Sequence, residues 1–257
     1  MSPKKVIITR PITQARDFAL KASANGVESV IFPLIDIHPI ADQAVLNEKV
    51  RDLQQFSLVV FVSPNAIDAF LRHVSVWPRE VPIAVMGAGS RHTLAHFGLT
   101  NKTATIISPA NELKTDSETL LEVLDTASLS GKKVLIVRGT NGREFLSDAL
   151  RSFDVDVQLL SAYQRVAPFF DEVKQNELIR LLESDNVWLI TSSEALRTLM
   201  DWVRKLASHE FVAKMQHQEI IVPHVRIAET AQSLGFHFIT LTASGDEPML
   251  VALQSHV

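Results

Sequence analysis

"KKVIITRPITQARDFALKASANGVESVIF" (Lys4–Phe32) and "KKVLIVRGTNGREFLSDALRSFDVDVQLL" (Lys132–Leu160) write one strand–helix–strand sentence twice, at an offset of 128 residues. Lys5, Val6, Ile8 and Arg10 recur as Lys133, Val134, Ile136 and Arg138. Both copies end their first strand on an arginine. The repetition continues in order along the chain. "FVSPNAIDAFL" from Phe61 matches "ITSSEALRTLM" from Ile190, with Ser63 facing Ser192. "IAVMGAGSRHTLAHFG" from Ile83 matches "IIVPHVRIAETAQSLG" from Ile220, with Thr93 facing Thr230 and Gly98 facing Gly235. "DSETLLEVL" from Asp116 matches "GDEPMLVAL" from Gly245. All parallel α/β units share such composition, but four segments recurring in sequence order argue for duplication: A, B, A, B.

Ten short Val/Ile/Leu-rich runs alternate with amphipathic segments, the pattern of strands covered on both faces. The expected strands are Lys5–Thr9, Glu28–Ile31, Ser57–Val62, Pro82–Met86, Thr103–Ile107, Lys133–Val137, Val155–Leu159, Asn186–Ile190, Glu219–Val222 and His237–Leu241. Ten strands fit two sheets of five better than one open sheet. The alternation predicts an α/β fold of two doubly wound parallel-sheet lobes built from βαβ units. "PLIDIHPI" (33–40) and "SAYQRVAP" (161–168) each follow a second strand, alternate apolar with polar residues and carry proline. They read as extended connectors that leave one sheet for another. The expected division is a contiguous lobe over 42–160, a discontinuous lobe of 1–34 with 169–257, and connector strands at 35–41 and 161–168. A tandem split near Gly131 is the other division the repeat allows.

Composition narrows the function. The chain of 257 residues is 46% hydrophobic and 21% charged, with net charge −4, which argues against a nucleic-acid-coating surface. No cysteine is present, so thiol chemistry, disulfides and Cys-based metal sites are excluded. The start shows no secretory leader pattern and the longest apolar runs are too short to cross a bilayer; the expectation is a cytoplasmic protein.

Common catalytic constellations are missing. Gly87 and Gly89 follow a strand, but the third glycine of a dinucleotide fingerprint is absent. His92 and His96 share a helical spacing without a third ligand, and read as surface histidines. An acidic pair after the first strand, as a phosphoreceiver needs, is replaced by Arg10 and Pro11. What remains is the set of strand ends, where doubly wound sheets bind ligands: Arg10, Ser63, Gly87, Arg138, Thr191, Ser192, Pro223 and Arg226. Ser63 before Pro64 reads as an N-cap with proline at N1, and Thr191 with Glu194 as a capping box. Two arginines at equivalent strand ends suit carboxylates bidentately and suggest a two-lobed clamp on a polyanion. Tyr163, the sole tyrosine, lies in a connector.

The stretches "VIITRP", "FVSPNAIDAF", "MGAGSRHTLAHFG", "VLIVRGTNGREFLSDAL", "AYQRV", "ITSSEAL" and "VPHVRIAETAQSLGF" together resemble the uroporphyrinogen-III synthase (HemD) family. The resemblance spans nearly the whole chain. It implies two flavodoxin-like lobes, one discontinuous, joined by a two-stranded β connector. It also implies a hydro-lyase (EC 4.2.1.75) of haem and sirohaem biosynthesis that closes hydroxymethylbilane, inverts ring D and loses water. No cofactor or metal is implied. Tyr163 matches the family's connector tyrosine, an aid to hydroxyl departure that is not indispensable. Ser63, Thr191 and Ser192 match small polar residues of the substrate site. Gly89 and Ser90 stand where many relatives have a glycine and a threonine. Gly87, Gly139 and Arg226 complete the expected substrate contacts. The implied partners are the polycarboxylate substrate and, transiently, hydroxymethylbilane synthase handing it over, with no nucleic acid or membrane and a monomeric state. The alternative function is a non-enzymatic, two-lobed module that binds a small anion.

Overall fold

The structure, a computed structural model, describes residues 4–109, 116–206 and 208–255. The chain runs β1 (Lys5–Ile8), α1 (Ile12–Ala24), β2 (Ser29–Ile31), β3 (Asp36–Pro39), α2 (Ala44–Arg51), a 3₁₀ turn (Leu53–Gln55), β4 (Leu58–Phe61), α3 (Pro64–Leu71), β5 (Ile83–Val85), α4 (Ala88–His96) and β6 (Ile106–Ile107). It continues through α5 (Ser117–Val123), α6 (Thr126–Leu129), β7 (Lys133–Gly139), α7 (Phe145–Ser152), β8 (Asp156–Val166), α8 (Glu172–Leu182), β9 (Asn186–Leu189), α9 (Ser193–Lys205), α10 (Glu210–Gln216), β10 (Glu219–Val222), α11 (Val225–Ser233), β11 (Phe238–Leu241) and α12 (Asp246–Gln254).

Two compact units result: Met1–Asp36 with Val166–Val257, and Ile37–Arg165. The first holds a five-stranded sheet ordered β2-β1-β9-β10-β11, parallel throughout its pairings. Counted along the chain within the unit, that order is 2-1-3-4-5, the flavodoxin-like doubly wound arrangement. The second holds six strands ordered β3-β8-β7-β4-β5-β6. Setting β3 aside and starting from β7, the order is again 2-1-3-4-5. The second unit is thus a circular permutation of the first, as expected if A and B segments alternate along a duplicated chain.

Burial follows strand parity. In the second unit Val59, Phe61, Ile83, Val85, Leu135 and Val137 pack on one face with Ile67, Phe70 and Leu94. Leu58, Val60, Ala84, Val134 and Ile136 pack on the other with Leu120, Leu146 and Leu150. In the first unit Val6, Ile8, Val187, Leu189 and Ile221 meet Phe18 of α1 and Leu250 and Leu253 of α12. Trp188 faces the other way, edge-on to Phe32, which in turn meets Trp202 edge-on.

The connector segments depart from a simple ribbon. Residues 36–39 form β3, hydrogen-bonded beside β8 at the edge of the second sheet. The run expected at Val155–Leu159 continues through the second connector as the 11-residue β8. Along β8 the register slips: Arg138 faces Ser161, but Gly139 faces Tyr163. This β-bulge inserts one extra residue into β8, so the side chains beyond it exchange faces. Leu160, Ala162 and Tyr163 consequently all reach the same core.

At the opposite end of the first sheet a buried amide knot fixes where β9 begins. The Gln218 side-chain oxygen accepts from Asn186 N at 2.9 Å and Trp188 Nε1 at 3.3 Å. Its Nε2 donates to Ser184 O at 3.1 Å. Gln218 is 6% exposed, so water has little access to replace these bonds. Gln218→Leu keeps the volume and strands two buried donors. We expect a loss of about 1–3 kcal/mol, the cost of leaving buried polar groups unpaired, read as a lower urea midpoint. An unchanged midpoint would show that the knot contributes nothing net.

Candidate functional site

Each sheet has one topological switch point, where neighbouring strands lead to connections on opposite faces. In the first unit it lies between β1 and β9; in the second, between β7 and β4. The residues that leave these four strand ends are Thr9 and Arg10, Thr191 and Ser192, Arg138 and Gly139, and Ser63.

The two serines do the same local job. Ser63 is extended and its Oγ accepts from Ala66 N at 3.1 Å, with Pro64 at N1 of α3. Ser192 is extended and its Oγ accepts from Ala195 N at 3.0 Å, opening α9. The cap of α9 therefore sits one residue later than a Thr191–Glu194 capping box requires. The reason is the repeat itself: Ser192 occupies the position of Ser63, and both adopt its geometry. The remaining B-unit turns also match. Gly87 precedes α4 and His224 precedes α11, where His224 Nδ1 accepts from Arg226 N at 3.1 Å. Thr93 Oγ1 donates to Gly89 O at 3.0 Å, and Thr230 Oγ1 to Arg226 O at 2.8 Å. Ser90 is buried in the first turn of α4, whereas a Cβ on Gly89 would meet nothing within 4 Å. Arg226 is exposed.

Both strand-end arginines are engaged inside their own unit. Arg10 is fixed on three sides: Nη1 donates to Asp246 Oδ1 at 2.8 Å, Nη2 lies 3.1 Å from Met249 Sδ, and the guanidinium sits 4.5 Å from the Phe18 ring centre. Its side chain is 10% exposed. Lys21 donates to the other Asp246 oxygen at 2.6 Å. Burial pushes the Asp246 carboxyl up, but Arg10 and Lys21 outweigh it and hold the group below the usual carboxylate range. Arg138, 8% exposed, donates to Glu144 Oε1 at 2.7 Å. That bond, with one from Ser147 Oγ at 3.0 Å, holds Glu144 below its ordinary value. A Cβ on Gly142 would come 2.8 Å from Arg138 Nη2, so the turn 140–143 is moulded over the guanidinium. Nothing in the sequence marks Asp246, Glu144 and Lys21 as their partners. Asp246 lies 236 residues from Arg10, and no local spacing marks it.

Tyr163 is 4% exposed and belongs to the second unit's core. Its Oη shares a hydrogen bond with Ser63 Oγ at 3.0 Å. Its carbonyl accepts from Thr140 N at 2.9 Å. The structure therefore brings Ser63, Arg138, Gly139 and Tyr163 together in one unit, and Arg10, Thr191 and Ser192 at one sheet end in the other. His92 and His96 meet edge-on, with ring centres 4.4 Å apart, on the exposed side of α4. No cluster of three or more His, Asp or Glu able to hold a metal ion occurs among the described residues. No helix among them is long and apolar enough to cross a membrane.

Comparison with known proteins identifies the fold and the family. Uroporphyrinogen-III synthases of Escherichia coli K12 and Salmonella typhimurium LT2 are each 26% identical, over 97% of this chain and 99% of theirs. Solved uroporphyrinogen III synthases from Helicobacter pylori 26695 (TM-score 0.61) and Thermus thermophilus (a mutant, TM-score 0.60) share 13% identity over 98% of this chain, covering 99% and 98% of theirs. They share its two-lobed α/β fold. The family described as uroporphyrinogen-III synthase HemD matches residues 16–246, and the chain belongs to that family.

Proposed function

We propose that the chain closes linear hydroxymethylbilane into uroporphyrinogen III, inverting ring D and releasing water. The observation that carries this reading is the match to the family across residues 16–246, on a sheet pair whose switch points present capped helix starts. The chemistry fits a site without an acid/base constellation. Departure of the substrate hydroxyl leaves a cationic azafulvene, which an electron-rich pyrrole carbon attacks. Attack at the substituted carbon of ring D gives a spiro intermediate, which reopens and recloses as the inverted ring. The protein's task is orientation, which alone is worth about 7–11 kcal/mol where geometry is well held.

In this reading the helix starts capped by Ser63 and Ser192 face substrate carboxylates, whose charge the positive ends of the helix dipoles complement. Gly87, Ser90, Thr191 and Arg226 line equivalent turns. Tyr163 assists departure of the hydroxyl. Arg10 and Arg138 shape the strand-end turns through Asp246 and Glu144 rather than acting as free forks. Segments 35–41 and 161–168 serve as the linking strands between units. Hand-over from hydroxymethylbilane synthase in the cytoplasm completes the proposal.

Freshly prepared hydroxymethylbilane, incubated with the protein and resolved into isomers, tests the reaction. An excess of isomer III is expected; isomer I alone would leave only an anion-binding module. Tyr163→Phe should lower kcat by less than about a hundredfold, the low end of general-acid contributions, while isomer III persists. Complete loss in a folded variant would show that the phenol is indispensable.

The Arg10–Asp246 pair has its own test. Because the folded pKa of Asp246 is depressed, its stabilisation is present above the unfolded value of about 3.9 and is lost as pH falls through the lower folded value. Asp246→Asn should cost about 1–3 kcal/mol near neutrality, less than the 3–5 of a fully buried broken pair, since the Asp246 side chain is 28% exposed. The deficit in Tm should shrink as pH drops below about 4. A deficit independent of pH would mean that charge pairing is not what holds Arg10.

A further inference from the structure

Gly139 was expected among the substrate contacts. The geometry points to a different role: Gly139 is a positioning residue, whose missing side chain seats the Tyr163 ring so that its phenol meets Ser63. The consequence for catalysis rests on the reading of Tyr163 given above; the positioning itself rests on packing alone.

Three independent features converge on one atom group. The β-bulge makes Gly139 the partner of Tyr163 in place of Ala162. Without that slip, strand alternation from Leu160 through Ala162 would send Tyr163 to the opposite face. With it, the ring lies over the strand position across from it. A Cβ at Gly139 would stand 3.0 Å from Tyr163 Cζ, 3.1 Å from Cε2 and 3.3 Å from Oη. These are the hydroxyl end of the ring, not its root. Any side chain at 139 would push on the atoms that carry the function. The neighbouring ring is not free to yield, because it is buried and tied by its carbonyl to Thr140 N at 2.9 Å and by Oη to Ser63 Oγ at 3.0 Å. Ser63 in turn is anchored by its cap bond to Ala66 N. The bulge aims the ring, the glycine sets its height, and the capped serine meets its hydroxyl.

The duplicated copy supplies an internal control. At the repeat offset, Gly139 corresponds to Pro11 and Tyr163 to Ile35. The unit that lacks the ring has no glycine at this position. Backbone conformation does not demand glycine at 139 either, since it is not among the residues with positive φ. Space for the phenol is the remaining reason.

Because Tyr163 is the only tyrosine, tyrosine labelled with ¹³C at Cζ gives one NMR line that reports the phenol directly. In Gly139→Ala this line should move, as it should in Ser63→Ala. With hydroxymethylbilane as substrate, Gly139→Ala should lower kcat by up to about a hundredfold, the effect of about 1 Å of misplacement, with KM changed far less. A line unmoved in Gly139→Ala would overturn the positioning role. A moved line with unchanged kcat would leave positioning intact and instead sink the catalytic reading of Tyr163. If Gly139→Ala folds poorly, the double variant Gly139→Ala/Tyr163→Ala decides. Removing the ring should abolish the loss in Tm that the alanine at 139 causes, measured against Tyr163→Ala alone. An undiminished loss would mean that the glycine serves the backbone and not the ring.

Discussion

The architecture depends on the parallel ladder between β1 and β9. Lys5–Ile8 pair residue for residue with Asn186–Leu189, and Thr9 Oγ1 extends the ladder by donating to Leu189 O at 2.8 Å. The central side chains of both strands, Val6, Ile7, Ile8, Val187, Trp188 and Leu189, are fully buried. A doubly wound sheet places its first strand in the middle, so the N-terminal segment cannot be shielded until the C-terminal B segment has arrived. The closure entropy of so long a loop rises only slowly with length, by about 0.6 kcal/mol per doubling. Two layers of apolar contact offset that readily. The kinetic consequence is larger: the discontinuous unit needs contacts across most of the chain, whereas the contiguous unit needs none.

The same sheet order is reached in both units from different chain orders, which explains the paired strands β3 and β8. The chain leaves the first unit near Asp36 and returns near Val166, both within strands that neighbour each other in the second sheet. Each crossing segment is thereby given backbone partners instead of running as bare loop, where its polar groups would need water.

Much of this was legible in the residues because buried parallel strands announce themselves. Each of the ten expected strands is present, most of them shifted by a residue or two at the ends. β3 falls within the connector strand expected at 35–41, and β8 joins the strand expected at Val155–Leu159 to the connector strand expected at 161–168. That both belong to the second sheet is not legible, because Pro39 and the alternation in "PLIDIHPI" mark an edge as readily as a connector, and the bulge at Ala162 turns two successive residues inward. The arginines at 10 and 138 were found by repetition, but their state was not. Asp246 is brought to Arg10 by α12 docking on α1, a tertiary event with no trace in local spacing. Glu144 lies six residues from Arg138, yet only the turn moulded around Gly142 reveals that it folds back.

Duplication explains the scaffold, and divergence within it separates the two sets of strand-end residues. Both copies keep the serine caps, the threonine back-bonds and the left-handed glycines Gly98 and Gly235 that end α4 and α11. They differ at the switch points. One copy invests its strand-end arginine in a long-range ion pair and carries Pro11 and Ile35. The other keeps its arginine local and meets Tyr163 with Gly139. The residues that break the repeat give each unit its own chemistry at the strand end: Gly139 and Tyr163 in one, Pro11 and Ile35 in the other.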